Sequence, residues 1–263
     1  MIVAGCDVGS LTAKVVIMKD GEMIASSVKR AGTKPRESAE RVLDAALSMA
    51  GLNRDDVDYA VGTGYGKDQI PFVNQSESEI SCHAKGAWWC MPSARMIIDI
   101  GGQDAKAIKM DDKGNIVRYI YNDKCASGTG RFLEVMAEAL GVKLEEMGSL
   151  AEQSTEKLTI SNQCVIFAET EVVSLINERK KPQDIVRALH KAMANRVASL
   201  AKSIGVDENE DVVMTGGVAK NSGVFDALSE GLGLPLKHLP GMDPQLNGAL
   251  GAALIANEKM KGK

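Results

Sequence analysis

Residues 98–106 read I-D-I-G-G-Q-D-A-K, and residues 122–132 read N-D-K-C-A-S-G-T-G-R-F. The first run is apolar up to Asp99, breaks at Gly101-Gly102 and resumes at Ala105. That pattern predicts a strand, a tight glycine turn and a second strand. Without a Cβ, glycine lets backbone N–H groups close on a phosphate. The second run sets Cys125 just ahead of a Gly/Ser/Thr-rich segment. Phe132, Val135, Met136, Ala139 and Leu140 then recur at three to four residues and predict a helix over 128–140. A helix start carries unpaired N–H groups and the positive end of the dipole, which favour a thiolate or an anionic cluster. One half suits a phosphate and the other an anion or a metal. The stretch therefore implies a nucleotide coupled to a metal centre through a short connection.

The first half has a counterpart at the start of the chain. Residues 2–8 predict a buried strand, Gly9-Ser10 a turn and 13–18 a second strand; Asp20-Gly21 is a hairpin signal before a third strand near 23–28. In the first turn Gly9 opens the backbone, Ser10 and Thr12 offer hydroxyls and Lys14 offers a charge. Asp7 at the strand end could hold magnesium through water. Taken alone, this is as readily a plain hairpin with polar turn residues. The pattern repeats, however: strand 95–100, the turn at Gly101-Gly102, strand 105–110 and a hairpin turn at D-D-K-G-N over 111–115. The repeat favours the phosphate reading. It implies an α/β chain of two similar domains facing each other across a cleft, with two loops clamping one triphosphate and its metal.

Between and after the repeats lie an amphipathic helix over 35–50, a strand over 57–61, a T-G-Y-G-K loop and a helix over 78–89. Cys82, His83 and Cys90 lie in or near that last helix, where buried packing is a better account than metal ligation. Cys164 sits in I-S-N-Q-C-V-I-F-A-E-T-E, which reads as extended before the cysteine and helical after Thr170. It too places a thiol beside polar turn chemistry and ahead of a helix, although by spacing alone a buried, inert thiol is the better account. A long helix over 182–205, a strand over 211–214 and a T-G-G turn at 215–217 follow. The turn leaves room for a flat ring or ribose, or is simply a strand-to-helix turn. The chain closes with an edge strand over 234–237 and a helix with small residues on one face.

The 263 residues are 44% hydrophobic with a net charge of −4, enough for one large core or two modest ones and without a general pull toward nucleic acid or an acidic membrane. No stretch is apolar for long enough to span a bilayer. The N-terminus has no signal-peptide pattern, so a cytoplasmic location is expected. Five cysteines with no C-x-x-C pair argue against a disulfide framework or a self-contained zinc site.

The turns together resemble the acetate kinase, sugar kinase and actin superfamily. C-D-V-G-S-L-T-A-K resembles its first phosphate motif, I-D-I-G-G-Q-D its second, M-T-G-G-V-A-K-N its adenosine motif and N-G-A-L-G-A-A-L its second connecting helix. The resemblance is closest to the ATP-dependent activators of 2-hydroxyacyl-CoA dehydratases, a branch that includes the ATPase subunits of benzoyl-CoA reductases. T-G-Y-G, E-I-S-C-H-A-K-G-A, N-D-K-C-A-S-G-T-G-R-F and C-x-x-F-A-E-T-E-V carry it, over essentially the whole chain.

The resemblance implies two duplicated actin- or hexokinase-like (ribonuclease H-like) domains. The first spans 1–93 with the C-terminal helix 246–263; the second spans 94–245 and holds the cluster cysteines. It further implies a homodimer with one shared 4Fe–4S cluster, ligated by Cys125 and Cys164 of each chain. The helix starting at Gly128 would aim its dipole at the cluster. Asp7 and Asp99 would organise Mg2+ and water, with Gln103 and Asp104 near the γ-phosphate of ATP. Gly216 and Gly217 would face the adenosine, and Lys220 and Gln245 would join the nucleotide site. An electron from ferredoxin or flavodoxin would pass, with ATP hydrolysis to ADP, to a partner iron–sulfur protein. That partner is a 2-hydroxyacyl-CoA dehydratase, a benzoyl-CoA reductase or a double-cubane cluster protein. One position departs from the family pattern. Leu11 stands where a hydroxyl residue usually follows the first-motif serine, and Thr12 would replace that contact. Two other readings compete: a small-molecule kinase of the same superfamily, which has no use for Cys125 and Cys164, and a nucleotide-dependent regulatory module with zinc or bare thiols at a dimer seam.

Overall fold

The computed structural model describes residues 1–161 and 164–262. Three strands open the chain: β1 (Ile2–Val8), β2 (Thr12–Lys19) and β3 (Glu22–Arg30). β1 and β2 pair antiparallel with Asp7 opposite Lys14, and β2 pairs antiparallel with β3. The β2–β3 turn uses Asp20 at φ 53° and Gly21 at φ 94°, the left-handed pair that a two-residue hairpin demands. Helix α1 (Pro35–Ala50) starts with proline in its first turn and ends on Gly51 in the left-handed region. Then come β4 (Tyr59–Thr63), a short β5 (Gln75–Ser76) and α2 (Glu79–Cys90), which is capped by the Ser78 side chain. β4 lies two residues downstream of its sequence reading.

The second set repeats the first. It contains β6 (Ala94–Ile100), β7 (Ala105–Met110) and β8 (Ile116–Asn122), then α3 (Gly130–Leu140), α4 (Met147–Glu152), α5 (Val165–Asn177) and α6 (Pro182–Lys202). β9 (Asp211–Thr215), α7 (Ser222–Leu232), β10 (Leu236–Lys237) and α8 (Asn247–Lys261) complete the chain. The sheet orders are β3-β2-β1-β4-β5 and β8-β7-β6-β9-β10, so each strand of one copy has its equivalent in the other. By contacts the chain forms two units. One is Met1–Ile97 with Met110–Val117 and Leu239–Lys263; the other is Ile98–Lys109 with Arg118–His238.

In the first unit the sheet is buried on both faces. Val15 and Ile17 of β2 point toward Val42, Leu43, Ala46 and Leu47 of α1. Val16 and Met18, their alternates, join Ala249, Leu250, Ala252 and Ala253 of α8. The small-residue face of α8 permits backbone-level approach. A Cβ on Gly5 would fall 2.0 Å from the Ala249 carbonyl oxygen, and one on Gly251 would fall 1.7 Å from that of Cys82 in α2.

In the second unit α6 supplies the apolar centre through Ile185, Val186, Leu189, Met193 and Val197, and it packs on α7. His190 of α6 lies against Gly223 of α7, where a Cβ would come within 2.3 Å of His190 Nδ1. Two helix starts differ from the sequence reading. α5 begins at Val165, directly after Cys164, rather than beyond Thr170. α3 begins at Gly130, because Ala126–Gly128 forms a separate 3-10 turn and Thr129 is extended at φ −134°.

Candidate functional site

Each unit carries one copy of the same arrangement: a buried aspartate near a strand end, a glycine turn, and a lysine seven residues after the aspartate. In the first copy Asp7 is 5% exposed and Lys14 Nζ sits 3.1 Å from its Oδ2. The strand pairing that sets Asp7 opposite Lys14 produces this contact. Gly9 N–H donates to the Thr12 carbonyl at 3.0 Å and closes the turn. A Cβ on Gly9 would lie 3.1 Å from Lys14 Nζ, so the turn packs directly over the ammonium. Ser10 and Thr12 are half-buried. The Leu11 carbonyl accepts Ala31 N–H at 2.8 Å, which anchors its backbone to the end of β3. Gly64 of the T-G-Y-G loop, at φ 94°, covers the other side of Asp7: a Cβ there would be 2.4 Å from Asp7 Oδ1.

In the second copy Asp99 is 3% exposed. Its Oδ1 accepts the Thr215 hydroxyl at 2.8 Å, and Lys106 Nζ stands 3.7 Å from its Oδ2. Lys106 also bonds the Asp104 carboxylate. Gly101 N–H donates to the Asp104 carbonyl at 2.9 Å, while Gln103 is exposed at the tip. The Thr215 contact brings the T-G-G segment to this loop. Gly216, at φ 85°, passes so close to β6 that a Cβ would be 2.3 Å from the Ile100 carbonyl. Only glycine fits there. Gly217 and Lys220 flank the following 3-10 turn (Gly217–Lys220) and are exposed. The second unit thus gathers Asp99, Gly101, Gly102, Gln103, Asp104, Gly216, Gly217 and Lys220. Asp7, Gly9, Ser10, Thr12 and Lys14 belong to the first unit, as does half-buried Gln245, whose N–H is capped by Asp243 at 2.9 Å.

The cysteines divide into two kinds. Cys6 and Cys82 are buried, and burial pushes both thiols up, Cys82 to about 12. Burial also raises Cys90 to about 11. These three are protonated, inert groups at neutral pH. Cys125 is different. Its partial burial pushes the thiol up, but hydrogen bonds from the Ser127 hydroxyl and N–H and the nearby Arg196 guanidinium outweigh that and leave it below the ordinary thiol range. Cys125 Sγ lies 3.1 Å from Ser127 Oγ, and the Asn122 side chain holds its backbone on both sides. Cys164 is the N-cap of α5, with extended backbone at φ −153°. α5 packs against α3; half-buried Cys164 caps α5 directly, and half-buried Cys125 stands one 3-10 turn ahead of α3. Among the described residues no three His, Cys, Asp or Glu side chains converge into a metal site within one chain. Both cysteines fit thiolate ligation to an iron–sulfur centre, and the buried carboxylates Asp7 and Asp99 offer the hard oxygens that magnesium takes.

One expectation is corrected here. The first N–H groups of α3 do not point at an anion beyond Cys125. Gly130 N–H donates to the Gly101 carbonyl and Arg131 N–H to the Gly102 carbonyl, each at 2.8 Å. The helix start is bound to the Gly101-Gly102 turn, because its unpaired donors meet the two carbonyls of that turn. The sequence reading also missed Gly64 and Gly248 around Asp7. The only local signal was glycine placed beside helix or strand ends.

Two sheets of one order, each with an Asp-Gly-Lys loop, define a duplicated actin-like nucleotide-binding fold. The chain belongs to the BadF/BadG/BcrA/BcrD ATPase family, matched over residues 4–256, and is an ATPase. It is 47% identical, over the full length of both chains, to an activator of lactoyl-CoA dehydratase from Anaerotignum propionicum. Its fold matches the crystal structure of component A of (R)-2-hydroxyglutaryl-CoA dehydratase from Acidaminococcus fermentans with a TM-score of 0.94, at 42% identity and 99% coverage of both chains. It matches the activator of 2-hydroxyisocaproyl-CoA dehydratase from Clostridium difficile with bound ADPNP equally well, at TM-score 0.94 and 44% identity, covering 100% of this chain and 96% of that one. Among the described residues no helix is long and apolar enough to cross a membrane.

Proposed function

We propose that this chain is the ATP-hydrolysing activator of a 2-hydroxyacyl-CoA dehydratase. It would work as a cytoplasmic homodimer that takes an electron from ferredoxin or flavodoxin and delivers it to a partner iron–sulfur dehydratase. The observation that carries this reading is the placement of Cys164 as the cap of α5 and of Cys125 one 3-10 turn ahead of the neighbouring α3. A small-molecule kinase has no use for that pair. Two thiols per chain do not complete a four-ligand cluster, but two from each of two chains do. When bound, a shared 4Fe–4S cluster supplies the one-electron carrier. Ser127 and Arg196 favour the thiolate of Cys125 that would hold it.

In the first domain (1–93 with 246–263), Asp7 organises Mg2+ and its waters, Lys14 balances the phosphate charge, and Gly9, Ser10 and Thr12 present backbone and hydroxyl donors. In the second (94–245), Asp99 plays the matching role. Gly101, Gly102, Gln103 and Asp104 surround the γ-phosphate end of ATP. Gly216, Gly217 and Lys220 take the nucleoside, and Gln245 belongs to the same set of nucleotide-binding residues. The dehydratase partner is favoured over a benzoyl-CoA reductase because the relatives of highest similarity described above are dehydratase activators.

The test is iron and sulfide per dimer on anaerobically purified protein, with an EPR spectrum after reduction. Four irons per dimer, to order of magnitude about one cluster, and a reduced signal that responds to ATP or ADP support the proposal. Protein that stays colourless after anaerobic reconstitution refutes it.

A further inference from the structure

Cys164 enters α5 with little of the usual support. It is the N-cap residue, yet among the described residues its side chain makes no capping bond to the helix, and no acidic residue stands in the first turn. A helix start of this kind leaves its first N–H groups without side-chain partners and is prone to fray. The Cys164 carbonyl accepts Ala168 N–H at 3.0 Å, so the helix grips the residue from its C-terminal side. The sulfur, free of capping, is the atom proposed above as an iron ligand.

The chain leading to Cys164 is fastened at two places. At 154–156 it hangs on the buried carboxylate of Asp184 in α6. One oxygen of Asp184 accepts the Ser154 hydroxyl at 2.9 Å, Thr155 N–H at 2.7 Å and Glu156 N–H at 2.9 Å. Lys180 pairs with Glu156 beside this anchor. Further on, Ile160 is buried, and Ser161 N–H donates to the carboxylate of Glu171. Glu171 lies about two helical turns beyond Cys164. It sits in the part of α5 held by Ala168 and Val172, both fully buried, where the helix packs on α3 and α6. The bond therefore ties the chain ahead of the cysteine to the anchored part of the helix behind it. Three residues span at most about 10 Å, so fixing Ser161 limits how far Cys164 and the first turn can move.

We infer that Glu171 is a positioning residue for Cys164: its carboxylate holds Ser161 N–H and so fixes the approach to the cysteine against the body of α5. This rests on the reading of Cys164 as an iron–sulfur ligand. Glu171 acts as a hydrogen-bond acceptor; it is not itself a ligand. Its effect on the cluster runs through the backbone that carries the thiol, as with other groups that orient metal ligands from behind.

Two substitutions separate the acceptor from its charge. Glutamine keeps a carbonyl oxygen at the end of a side chain of the same length but carries no charge. Alanine removes both and, as the best helix former, does not weaken α5. Iron release to a chelator is timed on the full-length, anaerobically reconstituted dimer for wild type, Glu171→Gln and Glu171→Ala. Hydrogen exchange of the peptide holding Ser161, and thermal unfolding, are measured on the same three proteins without iron. Glu171→Gln should release iron at the wild-type rate, and Glu171→Ala roughly 10- to 100-fold faster, the usual effect of removing an orienting partner. Exchange at that peptide should quicken in Glu171→Ala alone, while Tm moves by no more than the few degrees one hydrogen bond can shift. Equal release from the two variants overturns the inference, whether both hold iron or both lose it. A large fall in Tm for Glu171→Ala also overturns it, because Glu171 is then a plain stability residue. Wild-type protein that binds no iron is a separate failure: it refutes Cys164 as a ligand and leaves Glu171 nothing to position.

Discussion

His190 makes the second unit sensitive to mild acid, by an amount that can be worked out. The residue is 1% exposed in the α6–α7 seam. Asn221 caps α7 with its Oδ1, which accepts Val224 N–H at 3.1 Å, so its NH2 is the group that meets His190 Nε2 at 3.3 Å. The imidazole is therefore neutral with its proton on Nδ1, and that buried atom has no hydrogen-bond partner among the described residues. Burial lowers the pKa from 6.5 to about 4. A second proton binds the unfolded chain below pH 6.5 but binds the folded chain only near pH 4. Stability is therefore complete above about pH 6.5 and falls as pH drops through that window. At 1.36 kcal/mol per unit, the loss by pH 4 is about 3 kcal/mol. Urea unfolding followed by circular dichroism at several pH values between neutrality and pH 4 measures it. His190→Gln, which cannot titrate, should be less stable at neutral pH yet show a flatter decline. Parallel pH profiles for the two proteins, or an NMR titration of His190 near 6.5, would refute the reasoning.

Further tests bear on the proposed site. Cys125→Ala or Cys164→Ala should abolish iron binding while leaving nucleotide affinity, measured by calorimetry, largely intact; an iron-replete dimer after either change removes the ligand assignment. Asp7→Ala or Asp99→Ala should keep the brown colour while ATP turnover collapses, and unchanged hydrolysis would show that the magnesium site lies elsewhere. Thr215→Val preserves shape but removes the hydroxyl that bonds buried Asp99. It should lower unfolding free energy by about 1.5–3 kcal/mol, the range for a hydrogen bond to a charged group. No change in a denaturation curve would mean that Asp99 is satisfied without it.

The duplication was legible because its chemistry is local. An aspartate, a glycine two residues later and a lysine seven residues on can be seen twice in one line of text, and the strand pairing turns that spacing into an ion pair. The start of α5 was not legible. Val165, Ile166 and Phe167 are β-branched or aromatic, residue types that favour strands, and Ile166 and Phe167 prove to be 69% and 63% exposed, so they give no helical burial pattern. α4 is only six residues long, too short for a period to emerge. His83 was legible only as a buried residue. Its partner Asn247 is 164 positions away, and no local pattern announces a contact of that kind.

The coupling suggested by residues 98–132 acquires a physical form in the second unit. The expected link was a helix dipole aimed at a cluster; what the structure shows is a pair of hydrogen bonds between the Gly101-Gly102 turn and the start of α3. Gly101 and Gly102 form the turn proposed to hold phosphate, and their carbonyls are held by the first two N–H groups of α3. A Cβ on Gly130 would be 3.1 Å from the Gly101 carbonyl oxygen, so the helix start sits tightly against the turn. Cys125 is joined to that same helix start by one 3-10 turn and the extended Thr129. Thr215 ties the T-G-G segment to Asp99 on the other side of the turn. A displacement of the turn that keeps its two hydrogen bonds must carry the start of α3 with it. Breaking them instead gives up two backbone hydrogen bonds, at a net cost of about 0.5–1.5 kcal/mol each. Moving the helix is therefore the cheaper response, and Cys125 lies within five residues of its first turn.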